Sequence, residues 1–206
     1  MSTLSYPTTD AYKPAEFTFT LQRNIVGKKR NPFSGRRQTI EHPGPLWAAT
    51  IVYTPTTLDD RAAVEAFWNN ASAASNKVSL WHMVRPQPRG TLQANTTSGA
   101  GTAGASTINI NATTGLTLKA GDMFSVALTG GGTQLLMVIA DVTSVASVMT
   151  SVSFVPGLVG AVTNGATVTV VKPTALFQLE DDFVSMPYVP GYASSFPVVL
   201  LEAPEW

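Results

Sequence analysis

The 206-residue sequence contains no cysteine, which excludes a disulfide framework, a zinc site built on thiolates and a cysteine nucleophile. It also has few charged residues, since they make up 13% of the chain and the 13 basic side chains equal the 13 acidic ones. Because 44% of the residues are hydrophobic and the formal net charge is zero, the composition excludes a disordered chain. It predicts one folded domain or two small ones.

Long apolar stretches are also missing. No run approaches the roughly 18 apolar residues that a transmembrane helix needs, so we expect no membrane partner. The first 14 residues have neither the basic region nor the apolar region of a secretory signal. We therefore expect synthesis in a cytoplasm without Sec-type export.

The residues that are present divide the chain into three blocks. Residues 1–89 have a net charge of +5, residues 90–172 of zero and residues 173–206 of −5. All four tryptophans and all five tyrosines lie outside 90–172. These shifts predict a host domain formed by 1–89 and 173–206, which is split by an inserted domain of 90–172.

Strand patterns dominate the host blocks. Alternation of apolar and polar residues predicts strands over 16–21 and 77–84, and β-rich runs predict strands over 46–53, 175–179 and 195–201. Between two of these strands, Thr57 and Asp60 are spaced like the first and last residues of a capping box.

A single helix is predicted after Thr57. Val64, Phe67, Trp68 and Ala71 follow one another at the spacing of one helical face, which is typical of an amphipathic helix. We expect this face to pack on the host strands.

The insert is predicted to be all β. Five β-rich runs are separated by glycine-rich turn signals, and they lie at 106–110, 117–128, 134–142, 151–155 and 166–171. Asn164-Gly165 predicts a hairpin. The expected fold is therefore α+β and mostly β, with a small split barrel-like host domain, one helix and an inserted barrel or sandwich.

Catalytic and metal-binding patterns are scarce. His42 and His82 are the only side chains suited to general-base chemistry near neutral pH, and neither belongs to a metal or nucleophile motif. The segment from Gly99 to Gly104 matches G-x-G-x-x-G, but no apolar strand precedes it and no helix follows, so we interpret it as a flexible linker. We predict no catalytic residue, no metal site and no cofactor.

Two charged segments are the candidate functional residues. The segment from Arg23 to Arg37 holds six of the 13 basic residues, and the candidates within it are Lys28, Lys29, Arg30, Arg36 and Arg37. Its glycines and proline predict a hairpin-like loop. A protein contact is favoured over a nucleic-acid patch or a solvated loop, because the chain as a whole is uncharged.

The acidic candidates are Glu180, Asp181 and Asp182. Adjacent residues of a strand point to alternating faces, so these carboxylates are not expected to converge on one cation. An interface or solvated edge is the favoured interpretation. The +5 and −5 blocks provide complementary faces either between subunits in a head-to-tail assembly or within one host domain.

The order of elements resembles the tail-tip subunits of tailed bacteriophages. The residues that carry the resemblance are Tyr53-Thr-Pro55, then Val64, Phe67 and Trp68 on the helix, then Val78, Leu80 and Trp81 on the strand before Arg85-Pro86. The groups concerned are the lambda-like minor tail protein M family and the larger distal tail proteins, in which a leucine-x-x-phenylalanine-leucine helix precedes a phenylalanine-leucine-tryptophan strand. The resemblance covers roughly residues 17–90 and the strands after 173, although residues 69–75 depart from the compact turn usual there.

The resemblance implies a non-enzymatic subunit of the virion, assembled in the host cytoplasm. Such subunits form rings, commonly sixfold, that join the tail tube to the hub or baseplate. Val64, Phe67, Trp68, Leu80 and Trp81 would then form the structural core. The alternatives are a receptor- or carbohydrate-binding module that uses the insert, disfavoured because the insert has no Trp or Tyr, and a virion-associated hydrolase, disfavoured by the missing catalytic pattern.

Overall fold

The computed structural model describes residues 2–9, 12–23, 25–26, 40–41, 44–55, 57–73, 76–181, 184–188 and 194–203. The elements within these ranges are, in chain order, β1 (Ser2–Ser5), β2 (Glu16–Gln22), β3 (Ile25–Val26), β4 (Ile40–Glu41), β5 (Leu46–Tyr53), α1 (Leu58–Ala71), β6 (Asn76–Trp81), β7 (Thr96–Thr97), β8 (Thr107–Asn111), β9 (Thr117–Leu118), β10 (Met123–Ala127), β11 (Thr133–Val138), β12 (Val142–Thr143), β13 (Val148–Val155), β14 (Thr167–Thr169), β15 (Thr174–Leu179) and β16 (Phe196–Glu202). The prediction of a mostly β, α+β fold is confirmed.

The strands of the host blocks form one six-stranded sheet in the order β1-β6-β15-β16-β5-β2. Neighbouring strands are antiparallel except for β1 and β6, which are parallel. Phe17 and Phe19 of the edge strand β2 lie 5.5 and 5.1 Å, between ring centroids, from His82, which directly follows β6. Because three strands separate β2 from β6 in the sheet, this contact shows that the sheet curls strongly.

Helix α1 packs on the host sheet through the face that its spacing predicted. Val64, Trp68 and Ala71 are buried, and Phe67 packs against the same core while remaining partly exposed. At its start, the Thr57 hydroxyl accepts a hydrogen bond from the Asp60 backbone N–H at 3.1 Å. Aspartate thus occupies the position that glutamate or glutamine takes in the usual capping box.

Tyrosine hydroxyl groups hold the N-terminal segment over the host core. The Tyr6 hydroxyl donates to the Tyr12 carbonyl at 2.5 Å, so the Tyr53 hydroxyl, 2.7 Å away, donates to Tyr6. The Tyr12 hydroxyl donates to the Ala63 carbonyl on α1 at 2.9 Å. These hydrogen bonds connect the segment after β1 with β5 and the helix, and they give the tyrosine hydroxyl groups the partners that buried polar groups need.

The strands of residues 90–172 form a second six-stranded sheet in the order β7-β14-β10-β11-β13-β8. An isolated bridge between Ser98 and Ile110 connects the two edges of this sheet, so it is a nearly closed barrel. Its core contains Phe124 and Phe154, whose rings meet edge to face at 5.9 Å. Of the predicted barrel and sandwich, the barrel is therefore observed. Whether the two sheets fold as independent domains remains a prediction.

Two predicted strands are interrupted by turns. The strand predicted over 77–84 ends at Trp81, because Arg85 donates its backbone N–H to the His82 carbonyl and closes a turn. The run 117–128 is divided into β9 and β10 by a turn in which Gly121 has a φ of 89°, a left-handed conformation that favours glycine.

The hairpin expected at Asn164-Gly165 is not formed. These residues make a turn, since Ala166 donates to the Thr163 carbonyl at 3.1 Å, but β14 then pairs with β10 and β7. A hairpin is formed instead at Gly130–Gly132, where the Leu128 N–H donates to the Gly132 carbonyl between β10 and β11.

The glycine segment 99–104 is not a flexible linker, so that prediction is wrong. Gly101 exchanges two backbone hydrogen bonds with Val162, at 2.9 and 2.8 Å. A Cβ at this position would lie 2.7 Å from a methyl group of Leu158. Glycine therefore lets the chain pass close to the barrel core without displacing the Leu158 side chain.

Candidate interaction sites

The predicted basic candidates lie outside the described residues, and so do Asp182 and His42. The base of the basic segment is described. Strand β3 pairs with β4 in antiparallel register, with Ile25 opposite Glu41 and Val26 opposite Ile40. The two ends of the segment are therefore held together in a two-stranded ladder.

This ladder follows directly from the host sheet. The last residue of β2, Gln22, is opposite Leu46, the first residue of β5. We refer to residues 23–44, which connect these two strands, as the basic arm. Its attachment point is the Leu46 end of β5.

The acidic candidates Glu180 and Asp181 are exposed and directly follow β15. The Glu180 backbone N–H donates to the Val199 carbonyl at 3.1 Å, so the pairing of β15 with β16 continues to this point. Val199 in turn is opposite Thr50 of β5. The acidic residues therefore lie at the level of the second half of β5.

Beside them lies a groove of about 360 Å³. Its apolar lining comes from Leu179, Val184, Pro187, Pro197 and Val199, and Asp181 lies at its rim. We call this the β15–β16 groove. It is an open, largely apolar surface with one carboxylate, that of Asp181, at its rim.

The outer wall of this groove, residues 184–188, is held by Arg61 of α1. The Arg61 guanidinium donates to the carbonyls of Met186 and Pro187 at 3.0 and 2.7 Å, and it lies 5.3 Å from the centre of the Tyr188 ring. Because these bonds are charge-assisted and paired with carbonyls, the wall is fixed to the helix. The Arg61 guanidinium therefore already has hydrogen-bond acceptors in the wall of the groove.

A packed seam joins the host sheet to the barrel, which the sequence did not predict. The indole N–H of Trp47 in β5 donates to the Leu135 carbonyl of β11 at 2.9 Å. Met123, Leu135 and Met137 of the barrel pack against the host core.

Asp122 is the polar centre of the seam and is 3% exposed. Its carboxylate accepts backbone N–H bonds from Arg89 at 2.7 Å, Gly90 at 3.0 Å and Lys119 at 2.8 Å. A Cβ at Gly90 would lie 2.1 Å from the Thr117 carbonyl oxygen, so only glycine fits there. The sequence did contain a signal for this site, because Asp122 follows Gly121 and is one of only two carboxylates in residues 90–172.

The four charged residues of 90–172 all lie at the host end of the barrel. Lys119 pairs with Asp141 at 2.9 Å beside Asp122, and Lys172 lies 5.4 Å above the ring of Trp81. The rest of the barrel surface is therefore uncharged.

His82 has a structural role in this seam, as its sequence context predicted. The ring is 7% exposed and contacts Phe17 and Phe19. Burial, followed by the nearby Arg85 charge, lowers the pKa of His82 to about 4. The Nδ1 atom accepts the Arg85 backbone N–H at 3.1 Å, and the Arg85 guanidinium lies 3.4 Å from Nε2.

Glu202 is a second buried ionisable group that the sequence analysis missed. It is 6% exposed, and burial raises its pKa to about 7 although its carboxylate accepts the Trp47 backbone N–H at 2.9 Å. The signal was present, because Phe196, Val198, Leu200 and Glu202 form one alternating buried series along β16.

The predicted core residues lie around α1 and β6. Val64, Trp68 and Leu80 are fully buried, whereas Phe67 and Trp81 lie at the edge of the core. Among the residues that the structure describes, none offers a hydrogen-bond acceptor to the buried indole N–H of Trp68. Its ring lies 6.2 Å from that of Tyr53.

Among the described residues, no three histidine or carboxylate side chains are grouped so as to hold a metal ion. Within the same ranges, no helix has the length and apolar character needed to cross a bilayer.

No protein-family model matches this chain, and no curated protein matches it.

Proposed function

We propose that this protein is a non-enzymatic structural subunit of a bacteriophage tail tip or baseplate. It forms a ring, sixfold in the resembling families, that joins the tail tube to the hub. The ring is part of the virion and is assembled in the cytoplasm of the host bacterium. The proposal starts from the resemblance of the host strands and helix.

The observation that supports the proposal most is the separation of the two charged segments, since the basic arm is attached at the Leu46 end of β5 and the acidic residues lie further along the sheet. The arm is attached at Leu46, whereas Glu180 lies at the level of Thr50 and two strands away. With a rise of about 3.3 Å per residue and a strand spacing of about 4.8 Å, the separation is roughly 15–20 Å. Complementary charges on different parts of one subunit suit a heterologous, head-to-tail contact between copies.

The seam gives further support. Trp47 and Asp122 fix the barrel to the host sheet by buried hydrogen bonds to Leu135, Arg89 and Gly90. A barrel held to the host sheet by buried hydrogen bonds suits a load-bearing ring, because a subunit that keeps its shape can dock repeatedly with neighbouring copies.

The proposal is tested by reversing the charge of the basic arm. Lys28, Lys29, Arg30, Arg36 and Arg37 are replaced together by glutamate, because exposed pairs contribute only about 0–1 kcal/mol each. Light scattering and negative-stain microscopy should show rings for the natural sequence and none for this variant. The matched control exchanges each lysine for arginine and each arginine for lysine, and it should still form rings.

The same proteins are then mixed with tail-tube subunits. Co-sedimentation of the natural sequence with tubes, lost on charge reversal, is expected. A natural protein that remains monomeric alone and with tubes would contradict the proposal, as would rings that survive the reversal at unchanged yield.

A receptor- or carbohydrate-binding function of the barrel is the second candidate. The uncharged surface of the barrel beyond its host end favours it, because a neutral polysaccharide needs no charged partner. Retention of the whole chain on neutral glycans, abolished by substitutions on that surface, would support it. If the chain is not retained on the glycans, the second candidate fails and the structural function is the one that stands.

A further inference from the structure

A positively charged surface surrounds the loop that joins the host sheet to the barrel. The Arg85 guanidinium donates to the Gly121 carbonyl at 3.0 Å, and the Arg89 guanidinium donates to the Ala120 carbonyl. Both arginines are exposed, and both guanidinium groups are held on the same barrel turn. Because side chains that are already ordered lose less conformational entropy on binding, these two cations are well suited to a docking surface.

Two lysines extend this surface. Lys119 begins the same turn, and Lys172 lies beside Pro86, whose carbonyl accepts the Lys172 backbone N–H at 2.6 Å. We call these four residues the basic seam surface: Arg85, Arg89, Lys119 and Lys172. The carboxylates beside them are those of Asp122, which is buried, and Asp141, which pairs with Lys119 at 2.9 Å. Four cations and two carboxylates leave this surface with a net charge of +2.

The basic seam surface also carries exposed apolar side chains. Val84, next to Arg85, is 70% exposed, and Ile139 is 51% exposed. Ile139 directly follows Val138, whose carbonyl accepts the Gly121 N–H at 2.7 Å. A protein partner that brings carboxylates and apolar groups would cover both features, whereas a nucleic-acid backbone would leave the apolar side chains in water. The chemistry therefore favours an acidic protein surface with apolar residues.

The chain itself carries such a surface at the other end of β15. Glu180 and Asp181, which we call the acidic corner, directly follow this strand, and both are exposed. Asp181 also lies at the rim of the β15–β16 groove, whose lining is apolar. The acidic corner thus offers the two features that complement the basic seam surface.

The two surfaces cannot meet within one chain. Lys172 precedes Thr174 at the first end of β15, and Thr174 is opposite Trp81, after which the loop with Arg85 begins. From Thr174 to Glu180 the chain spans roughly 20 Å, at about 3.3 Å per residue. An exposed ion pair needs its nitrogen and oxygen within about 4 Å. Because the guanidinium groups are held on the barrel turn, contact between the two surfaces requires two molecules.

We propose that the acidic corner of one copy binds the basic seam surface of the next copy, head to tail. This inference rests on the proposed ring function and deepens it, because it names the two faces in contact. Ala48 is opposite Leu201, and Leu201 is opposite Gln178, so the Leu46 end of β5 lies towards the Thr174 end of β15. The basic arm and the basic seam surface therefore lie at the same end of the host sheet.

The first experiment measures self-association of the full chain by light scattering across concentration. The corner reversal is Glu180→Lys with Asp181→Lys, and the seam reversal is Arg89→Glu with Lys172→Glu. Each reversal should weaken association about tenfold or more, because attractive pairs become like-charge contacts at every interface.

Matched controls separate this contact from a general effect of charge. Glu16→Lys with Glu65→Lys makes the same charge change as the corner reversal at two other exposed positions. Arg89→Lys with Lys172→Arg keeps the charge of the basic seam surface. Both control proteins should associate like the natural protein, and a control that weakens association as much as its matched reversal would contradict the proposal.

Mixing the two reversed proteins separates a lost contact from a lost fold. In an equimolar mixture, the intact seam surface of one protein meets the intact corner of the other, and the two reversed faces again carry opposite charges. We expect the mixture to assemble although neither protein assembles alone. If both proteins are folded, as judged by circular dichroism and thermal melting, and the mixture does not assemble, the proposal is overturned.

The absence of cysteine from the sequence permits an unambiguous cross-link. One protein carries Gln87→Cys, at an exposed position between the two arginines, and another carries Ser185→Cys beside the acidic corner, and the mixture is oxidised. A disulfide needs its two Cα atoms within about 7 Å, so we expect one between residues 87 and 185 of different chains. Peptide mass spectrometry should find it in at least about tenfold excess over the control pair that replaces Gln87→Cys by Thr150→Cys on the barrel.

The outcomes separate this inference from the proposed function. If the natural protein assembles and the arm reversal blocks assembly, but the corner and seam reversals assemble normally, the ring proposal stands and this contact is wrong. Unchanged self-association, together with salt-sensitive retention of duplex DNA that the seam reversal abolishes, would assign the surface to nucleic acid and overturn the contact between copies. A natural protein that never self-associates, alone or with tail-tube subunits, overturns both.

Discussion

The buried carboxyl of Glu202 should make the free energy of unfolding depend on pH, and a single substitution tests this. We consider the substitution Glu202→Gln, which keeps the side-chain shape and leaves an oxygen to accept the Trp47 N–H but cannot ionise. In the native protein, burial raises the pKa of Glu202 from 4.5 to about 7. In the unfolded chain the carboxyl returns to its ordinary pKa.

The sign follows from which state binds more protons. Between pH 4.5 and about 7 the native protein holds a proton on Glu202 that the unfolded chain releases, so the stability due to this group is full below pH 4.5 and lost as pH rises through 7. A difference of about 2.5 pKa units corresponds to roughly 3 kcal/mol. The variant should therefore match the natural protein at pH 4.5 and exceed it by up to about 3 kcal/mol at pH 7.5.

His82 acts in the opposite direction over nearly the same range. Its pKa is lowered from 6.5 to about 4, so its contribution is full above pH 6.5 and falls as pH drops towards 4. In the natural protein, the stability that Glu202 loses as pH rises from 4.5 to 6.5 is therefore offset by the stability that His82 gains. In the variant the offset is removed, and its stability should rise with pH across this interval.

Urea denaturation followed by tryptophan fluorescence at several pH values measures these free energies of unfolding. The informative quantity is the difference between variant and natural protein at each pH, since other groups cancel in it. A difference that is the same at pH 4.5 and pH 7.5 would refute the burial of an ionisable Glu202 in the core.

Further predictions concern the two cores and the seam. Trp68→Ala should lower the free energy of unfolding by about 3–5 kcal/mol, and Trp81→Ala should lower it by a smaller amount. Trp68→Phe should have much less effect than Trp68→Ala, because it also removes the unpartnered indole N–H. Melting of both alanine variants at the temperature of the natural protein would contradict this. Asp122→Ala should cost about 3 kcal/mol or more by orphaning three backbone N–H groups, whereas Asp141→Ala at an exposed position should have a much smaller effect. Equal effects of the two substitutions would disprove the role of Asp122 at the seam. Replacing 91–171 by a short Gly/Ser bridge should leave a host domain that still unfolds cooperatively. Its unfolding should occur at a lower denaturant concentration, because the Trp47 indole loses the Leu135 carbonyl as its partner. Non-cooperative unfolding would count against a separable host domain.

The host strands and helix could be predicted because their signals are local. The edge strand β2 alternates half-buried and exposed residues along its length, and the helix begins at the Thr57 cap. Both patterns depend only on neighbours in sequence and on one solvent-exposed face. The bounds of β5 at 46–53 were predicted from a β-rich run that ends shortly before Pro55.

The seam could not be predicted because it depends on contacts between residues far apart in sequence. Trp47 and Leu135 are 88 residues apart, and nothing around either residue indicates the other. Gly101 was misinterpreted for a related reason, since its need for a missing Cβ comes from Leu158 across the barrel. Glu202 was overlooked because a carboxylate is expected to be exposed, although its position in the alternating series of β16 indicated burial.

The candidate site was predicted only in part. Sequence alone placed opposite charges in the first and last blocks but left open whether they meet within one chain or between chains. The strand register adds the positions of these segments, because it puts the attachment of the arm at Leu46 and Glu180 beside Val199. The apolar groove next to them needs three separate segments and has no counterpart in any local pattern.

The most direct test of the central claim is the mass of the assembled protein in solution, measured by mass photometry or native mass spectrometry across micromolar concentrations and at low and high salt. A closed ring of six 21.8-kDa chains predicts a single species of roughly 131 kDa that dissociates as salt screens the charged contacts between copies. A monomer of 21.8 kDa at every concentration and salt, or a distribution of open chains without a closed species, would contradict the account.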